Sequence, residues 1–249
     1  RDFCLSRGLG DVYKRQGLVR GLLPSEMLEQ IYRIQKDIGE RVDNVVVMGS
    51  GEPFDNFDNL LRFIELLNNE EGLNISARNL TVSTCGIVPK IYELADMQPQ
   101  ITLAISLHSP NDELRRSIMP VANKYSIDEI MKACRYYVEK TGRRITFEYS
   151  LVKDVNDTDE CAMQLVHLVK GIKCHVNLIP VNPIKERDYK QTAQAGVSHF
   201  RSRLEKCGVN ATVRREMGRD IDGACGQLRR SYMESTDSNA DAPDGIKQE

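Results

Sequence analysis

Apolar residues recur along this chain in two alternating patterns, short continuous runs and longer stretches with a helical period. Behind the helix-start residues Pro24-Ser25-Glu26, apolar side chains repeat every three or four positions as far as Ile38. The next run, from Val45 to Met48, is continuously apolar and is followed by Gly49. Such a run is typical of a parallel strand that is buried on both faces.

The alternation continues to residue 215, and it predicts an α/β protein. Strands are expected at residues 43–48, 79–84, 100–106, 144–151, 174–180 and 210–215. Helices are expected at residues 24–38, 56–69, 88–97, 126–140, 158–170 and 192–207. Strands that alternate with helices favour a parallel sheet with helical crossovers, either an open sheet or a barrel.

The two ends of the chain differ from its middle. Residues 1–16 show no clear period, and residues 233–249 are polar and acidic with little apolar content. We therefore expect residues 17–232 to form the folded core and residues 233–249 to be a disordered tail.

Composition narrows the class of protein. The 249 residues are enough for one α/β domain with a substantial core, or for two small ones. The formal net charge is −2, so nucleic-acid binding would depend on local basic patches. No apolar stretch approaches the roughly 18 to 20 residues of a membrane span, and no secretory signal is evident, so a cytoplasmic location is expected. Seven cysteines at irregular spacing do not resemble a disulfide framework.

Polar residues follow almost every predicted strand, which is where parallel α/β folds bind ligands. Each residue alone has an ordinary structural explanation. Gly51 could serve only a tight turn, and Glu52 could cap a helix as well as accept a hydrogen bond from a ligand ammonium. His108 could be structural, and Asn182 could start a turn. Their concentration at the strand ends is more informative than any one of them.

Cys225 differs from the other cysteines. It lies beside Gly226 in a polar, arginine-rich segment, neither on an apolar helix face nor in a strand. Nearby cations favour the thiolate, which is the nucleophilic form. Four cysteines lie in periodic apolar segments and are expected to be small buried hydrophobes: Cys134, Cys161, Cys174 and Cys207. Cys85 is intermediate between these two classes, the reactive thiol and the small buried hydrophobe, because it lies at a strand end.

Several segments together resemble the radical-SAM adenine C2-methyltransferases that act on 23S ribosomal RNA and transfer RNA. The resemblance runs from about residue 17 to residue 232. It is carried by Met48-Gly49-Ser50-Gly51-Glu52-Pro53, Ser83-Thr84-Cys85-Gly86, Ser106-Leu107-His108-Ser109-Pro110-Asn111, Pro180-Val181-Asn182-Pro183 and Asp220-Ile221-Asp222-Gly223-Ala224-Cys225-Gly226-Gln227. It implies a partial (β/α)6 TIM-like barrel of the radical-SAM type, with the first strand and the cluster loop missing or disrupted.

The resemblance also implies roles for single residues. Gly51 and Glu52 would bind S-adenosylmethionine, Glu52 through the amino group of the ligand. The rest of that pocket would be formed by Ser83, Ser106, Leu107, His108 and Asn182. Cys225 would be the catalytic residue, a cysteine that carries a methyl group.

The chemistry of the family explains why such a cysteine is needed. Carbon 2 of adenine is not nucleophilic enough to take a methyl group from a sulfonium directly. In the family, one S-adenosylmethionine methylates the cysteine, and a second is cleaved with an electron from a [4Fe–4S] cluster. The resulting 5′-deoxyadenosyl radical takes a hydrogen from the S-methyl group, whose carbon then adds to the base. The implied partners are 23S rRNA and tRNA with an unstacked adenine, and an external electron donor. A monomer that does not contact membranes is expected.

The sequence departs from the family before residue 17. The family holds its cluster with a Cys-x3-Cys-x2-Cys motif, whereas the only cysteine before Gly17 in this sequence is Cys4. A cluster with three thiolate ligands cannot assemble on one cysteine. We therefore expect residues 1–16 to be foreign or mis-joined, the chain to hold no metal, and the chain as given to lack radical activity.

Three alternatives remain open. The related adenine C8-methyltransferases, which confer antibiotic resistance, share the pocket and the methyl-carrying cysteine. A non-catalytic RNA-binding module would use the basic pairs at residues 143–144, 214–215 and 229–230, although solvated surface charge explains each pair equally well. A radical-SAM enzyme with a small-molecule substrate is disfavoured by the match at residues 220–227.

Overall fold

A computed structural model describes the backbone of residues 2–4 and, in full, residues 20–48, 51–181 and 190–214. Seven strands form one sheet in it: β1 (Asp2–Cys4), β2 (Asn44–Val47), β3 (Leu80–Thr84), β4 (Thr102–Ser106), β5 (Ile145–Leu151), β6 (Cys174–Pro180) and β7 (Ala211–Val213). The helices are α1 (Pro24–Ile38), α2 (Phe57–Asn68), α3 (Val88–Asp96), α4 (Asp112–Ile118), α5 (Ile127–Thr141), α6 (Asp159–Val169) and α7 (Gln194–Lys206).

The strands lie in the order of the sequence, β1 to β7, and every neighbouring pair is parallel. This order is that of a barrel wall, because a doubly wound sheet reverses its strand order near the middle. Within the described strands, no pairing joins β1 to β7. The expected α/β partial barrel is therefore confirmed.

The two faces of the sheet differ sharply in polarity. In β5, Phe147 and Tyr149 are fully buried in the main core, which also contains residues of the surrounding helices. Glu148 lies between them and faces the opposite side, because successive strand residues alternate. The strand register aligns Glu148 with Ser106 of β4 and with Asn177 of β6. Ser106, Glu148 and Asn177 thus lie side by side on the face of the sheet that points away from the helices.

Local signals explain where the helices begin and end. The best case is α5, which starts with a capping box in which Ser126 and Glu129 bond to each other's backbone N–H. It ends at Gly142, whose φ of 65° is in the left-handed region that glycine adopts without strain. Among the described residues, no helix is both long enough and apolar enough to cross a membrane.

Two elements differ from the sequence expectation. Helix α4 was not predicted, because its seven residues, Asp112–Ile118, are too few and too charged to show a helical period. The expectation that the first strand is missing or disrupted needs correction, since Asp2–Cys4 pairs in parallel with residues 44–46 of β2. Backbone pairing defines this short strand, and three residues cannot display a pattern. The expected cluster loop lies outside the described residues.

Candidate functional site

The carboxyl ends of β2, β3 and β4 lie at one edge of the sheet, and hydrogen bonds join the segments that follow them. Glu52 follows β2 and accepts a hydrogen bond from the backbone of Cys85, which follows β3. Ser83 of β3 and Ser106 of β4 are in contact, with 3.5 Å between their hydroxyl oxygens. The structure therefore brings together candidate residues that are far apart in the sequence.

Glu52 is held by two backbone donors. Its side chain is 8% exposed. One carboxylate oxygen, Oε1, accepts from the N–H of Phe54 at 3.2 Å, and Oε2 accepts from the N–H of Cys85 at 2.8 Å. Glu52 thus caps the 3-10 turn Pro53–Asn56, one of the alternatives weighed from the sequence.

Gly51 precedes Glu52 with a φ of 122°. This value lies in the region that favours glycine, because a Cβ atom would clash with the backbone there. Among the described residues other than its chain neighbours, no atom lies within 4 Å of the position that a Cβ would take. The glycine is therefore needed for its backbone conformation, which turns the chain from β2 towards the Glu52 carboxylate.

Leu107 and His108 are fixed by the backbone of β5. Their N–H groups both donate to the carbonyl oxygen of Glu148, at 3.0 and 3.1 Å. The Leu107 side chain is fully buried in the main core, so Leu107 offers only its backbone to the site. Asn156 donates from Nδ2 to the His108 carbonyl at 2.8 Å. This bond supports His108 in a left-handed backbone conformation with a φ of 56°.

The His108 ring has a defined protonation state. Its Nδ1 accepts a hydrogen bond from the backbone N–H of Ser150 at 3.1 Å. Burial, and next the charge of Arg115, lower the pKa of His108 to about 3. The ring is therefore neutral near pH 7, and its proton sits on Nε2, which can donate to a ligand.

Arg115 also contacts this group of residues, although no sequence pattern indicates it. It lies on α4 and is fully buried. The guanidinium donates to the carbonyl oxygens of Cys85 at 2.6 Å, Leu107 at 3.2 Å and Ser106 at 3.3 Å. Burial lowers its pKa, while Cys85 and Asp112 raise it. An Arg beside Arg116 on a charged segment looks like surface charge, so no sequence signal marks it.

Glu148 is a second residue to which the sequence assigns no role. It is 5% exposed and accepts a hydrogen bond on Oε2 from Nδ2 of Asn177 at 2.9 Å. Burial raises its pKa to about 7, against the opposing effects of Asn177 and Arg214. The sequence places Glu148 among the polar residues near the strand ends, but no pattern assigns it a role.

Two predicted site residues cannot be placed. Asn182 and Cys225 lie outside the described residues, as does the whole segment 220–227. Their roles stay predictions.

The described cysteines do not form a metal site. Cys85, Cys134 and Cys161 are buried, as expected for the latter two, and every cysteine whose side chain is described is a free thiol. Cys174 is only half-buried. The expectation for Cys207 is wrong, because this residue follows the last turn of α7 and is exposed. The described residues contain no group of three or more His, Cys, Asp or Glu that is arranged to hold a metal ion. No three cysteines whose side chains the structure describes therefore lie together as ligands of an iron–sulfur cluster.

Comparisons with known proteins add to this geometry. The profile of the Radical SAM superfamily matches residues 3–166. The probable dual-specificity RNA methyltransferase RlmN of Lachnospira eligens is 73% identical over 223 residues, which are 90% of this chain and 64% of that protein. The protein of the same name from Clostridium perfringens strain 13 is 60% identical over 220 residues, 88% of this chain and 63% of that one. The chain thus spans less than two thirds of the length of these curated relatives.

Solved structures are also similar to this chain. A radical SAM methyltransferase from Sphaerobacter thermophilus has a TM-score of 0.82 and 45% identity, over 86% of this chain and 64% of that one. Streptococcus suis SuiB bound to S-adenosylmethionine has a TM-score of 0.56 at 19% identity, over 82% of this chain and 46% of that one. The second similarity supports the fold alone.

Proposed function

The chain belongs to the radical SAM superfamily, and from that premise we propose that its strand-end edge binds S-adenosylmethionine as part of an RNA adenine methyltransferase. The observation that carries the proposal is the Glu52 carboxylate. It is almost completely buried, yet backbone N–H groups hold it in place at the carboxyl ends of β2 and β3. A carboxylate held at this edge can accept a charge-assisted hydrogen bond from the ammonium of the ligand.

The other residues of this edge complement different parts of the ligand. The ammonium of S-adenosylmethionine would bond to Glu52, and the Gly51 backbone would allow a close approach. The neighbouring hydroxyls of Ser83 and Ser106 and the Nε2–H of His108 supply donors for the carboxylate or the ribose. Asn182 would complete this set.

The proposed reaction is methylation of adenine C2 in 23S rRNA and tRNA, with Cys225 as the methyl carrier. It is supported by similarity to proteins named as dual-specificity RNA methyltransferases. That similarity favours this function over the C8-methyltransferases and over a non-catalytic RNA-binding module. An external electron donor and a cytoplasmic, monomeric state belong to the same proposal.

The residues of this chain would bind, orient and shield the reactants. A [4Fe–4S] cluster would supply the electron that cleaves S-adenosylmethionine, and its ligands are not among the cysteines whose side chains the structure describes. We therefore assign no step to it in this chain. The chain itself contributes the anchored Glu52 carboxylate and the neutral His108 ring, both at the carboxyl ends of the strands.

Ligand binding tests the first half of the proposal. Calorimetric titration of the purified chain with S-adenosylmethionine should give saturable binding. Glu52→Gln should weaken it by about tenfold or more, since a hydrogen bond to a charged group is lost. Glu139→Gln, an exposed site on α5, is the matched control and should bind like the parent. Absence of binding by the parent, or equal affinity for Glu52→Gln, would contradict the proposal.

Methyl transfer tests the second half. In a form of the protein extended to the length of its relatives and carrying a cluster, Cys225→Ala should abolish methylation of rRNA and tRNA adenine. Cys207→Ala, which removes an exposed thiol, should leave methylation unchanged. Mass spectrometry of the modified adenine would identify the methylated carbon. Undiminished transfer by Cys225→Ala, or a methyl group on C8, would refute this part of the proposal.

A further inference from the structure

Glu52 and Arg115 hold opposite sides of one residue, Cys85. The N–H of Cys85 donates to Oε2 of Glu52 at 2.8 Å, and its carbonyl oxygen accepts from Nη2 of Arg115 at 2.6 Å. The Cys85 backbone therefore lies between an anionic and a cationic side chain. Charge-assisted bonds of this kind are shorter and stronger than neutral ones, so this backbone segment is firmly held.

Arg115 also reaches the end of the neighbouring strand. Its Nη2 donates to the carbonyl of Ser106, and its Nε donates to the carbonyl of Leu107. One guanidinium thus connects the ends of β3 and β4, the two strands that carry Ser83 and Ser106. A planar fork of donors can serve several carbonyls at once, whereas the single ammonium of Lys cannot reproduce this geometry.

Keeping a cation at this position is energetically costly. Arg115 is fully buried, and Nη1 has no hydrogen-bond partner within the described part of the chain. A buried charge is destabilising unless hydrogen bonds compensate it, and an apolar side chain would fill the same space at lower cost. The stability of the fold therefore does not explain an Arg at this position. The alignment of the ends of β3 and β4 by its hydrogen bonds does explain it.

We propose that Arg115 is a positioning residue for S-adenosylmethionine, which acts by fixing the Cys85 backbone that in turn holds the Glu52 carboxylate. The inference rests on the proposed function. Glu52 meets the ammonium at the amino-acid end of the ligand, so the effect of Arg115 falls mainly on that end. Arg115 contacts Ser106 and Leu107 only at their backbone carbonyls, so we expect a smaller effect on the adenosine end of the ligand.

Two ligands separate this role from a purely structural one. Arg115→Lys should lower the affinity for S-adenosylmethionine about tenfold in calorimetric titrations, the effect of one lost charge-assisted bond. The affinity for 5′-deoxyadenosine, which lacks the amino-acid part, should change less than about twofold. Arg116→Lys, the exposed neighbour on α4, is the matched control and should bind both ligands like the parent.

A double variant tests whether Arg115 acts through Glu52. Residues that act through one interaction give non-additive effects, so Glu52→Gln with Arg115→Lys should bind S-adenosylmethionine about as weakly as Glu52→Gln alone. Additive losses, or equal losses for both ligands, would overturn the inference. Loss of the folded circular dichroism spectrum in Arg115→Lys would also overturn it, by making Arg115 a residue of the fold. If the parent binds neither ligand, the proposed function itself fails.

Discussion

Asn177 donates a hydrogen bond from Nδ2 to Oε2 of Glu148 at 2.9 Å, across β5 and β6 on the polar side of the sheet. This bond stabilises the carboxylate, but burial dominates and raises the pKa of Glu148 to about 7 from an ordinary value of 4.5. Between these two pH values the folded chain therefore holds a proton that the unfolded chain releases. The free energy of unfolding must fall as pH rises through this window.

The pH dependence of stability should consequently change in Glu148→Gln. The amide does not titrate, so the variant does not lose this stability as the pH rises. From pH 4 to pH 8, its free energy of unfolding should therefore increase by about 2 to 3 kcal/mol relative to that of the parent. Urea unfolding at both pH values measures the difference, and Glu139→Gln on the exposed face of α5 is the control. A difference between variant and parent that is the same at pH 4 and pH 8 would refute the buried, protonated carboxyl.

His108 should remain neutral far below the ordinary pH range of histidine. Burial and Arg115 lower its pKa to about 3, and Nδ1 is occupied as an acceptor. Below about pH 6.5, His108 binds a proton in the unfolded chain but not in the folded chain. The free energy of unfolding therefore decreases as the pH falls. Nitrogen-15 spectra of the ring should show the Nε2–H tautomer with no titration between pH 8 and pH 5. A titration midpoint near 6.5 would contradict the described contacts.

Gly51→Ala tests whether the backbone conformation at this position, and not a lack of space for a side chain, requires glycine. No described residue beyond its chain neighbours would crowd a Cβ at this position, but its φ of 122° is unfavourable for any residue with a Cβ. We expect a loss of about 1 to 3 kcal/mol in the free energy of unfolding, or a rearranged turn that weakens S-adenosylmethionine binding. Gly72→Ala is the control, since an added Cβ there makes only ordinary contacts at 3.5 and 3.6 Å. Equal behaviour of the two variants in unfolding and binding would show that Gly51 is not required.

The cysteines should differ in reactivity according to their burial. Cys207 is exposed, whereas Cys134 is buried and burial raises the pKa of its thiol. Brief treatment with iodoacetamide followed by peptide mass spectrometry should find Cys207 alkylated well before Cys134 or Cys161. Alkylation of Cys134 at the rate of Cys207 would mean that the α5 face is not packed as described.

Much of the fold could be predicted because the strands and helices are long and regular. All six predicted strands and six predicted helices are present within a few residues of their expected bounds. The short elements β1 and α4 could not be predicted, since neither is long enough to display a period. Backbone pairing with β2 defines the first, and capping by Asn111 helps to define the second.

The site was partly predictable for a related reason. Strand ends in a parallel sheet meet at one edge, so Glu52, Ser83, Ser106 and His108 could be grouped from their positions alone. Arg115 could not, because its acceptors are carbonyl groups of residues up to 30 positions away, which no side-chain pattern reveals. Leu107 was grouped correctly, but its side chain belongs to the core and only its backbone belongs to the site.

The central claim is that S-adenosylmethionine binds at the Glu52 carboxylate, and amide spectra of the nitrogen-15-labelled chain test it most directly. On titration with the ligand, the N–H groups of Phe54 and Cys85, which both donate to Glu52, should shift strongly in the parent and much less in Glu52→Gln at the same ligand concentration. Gly142 and Gly171, which follow α5 and α6 at the opposite end of the sheet, should not shift. Shifts confined to that opposite end, or unchanged Phe54 and Cys85 signals at saturation, would contradict the account.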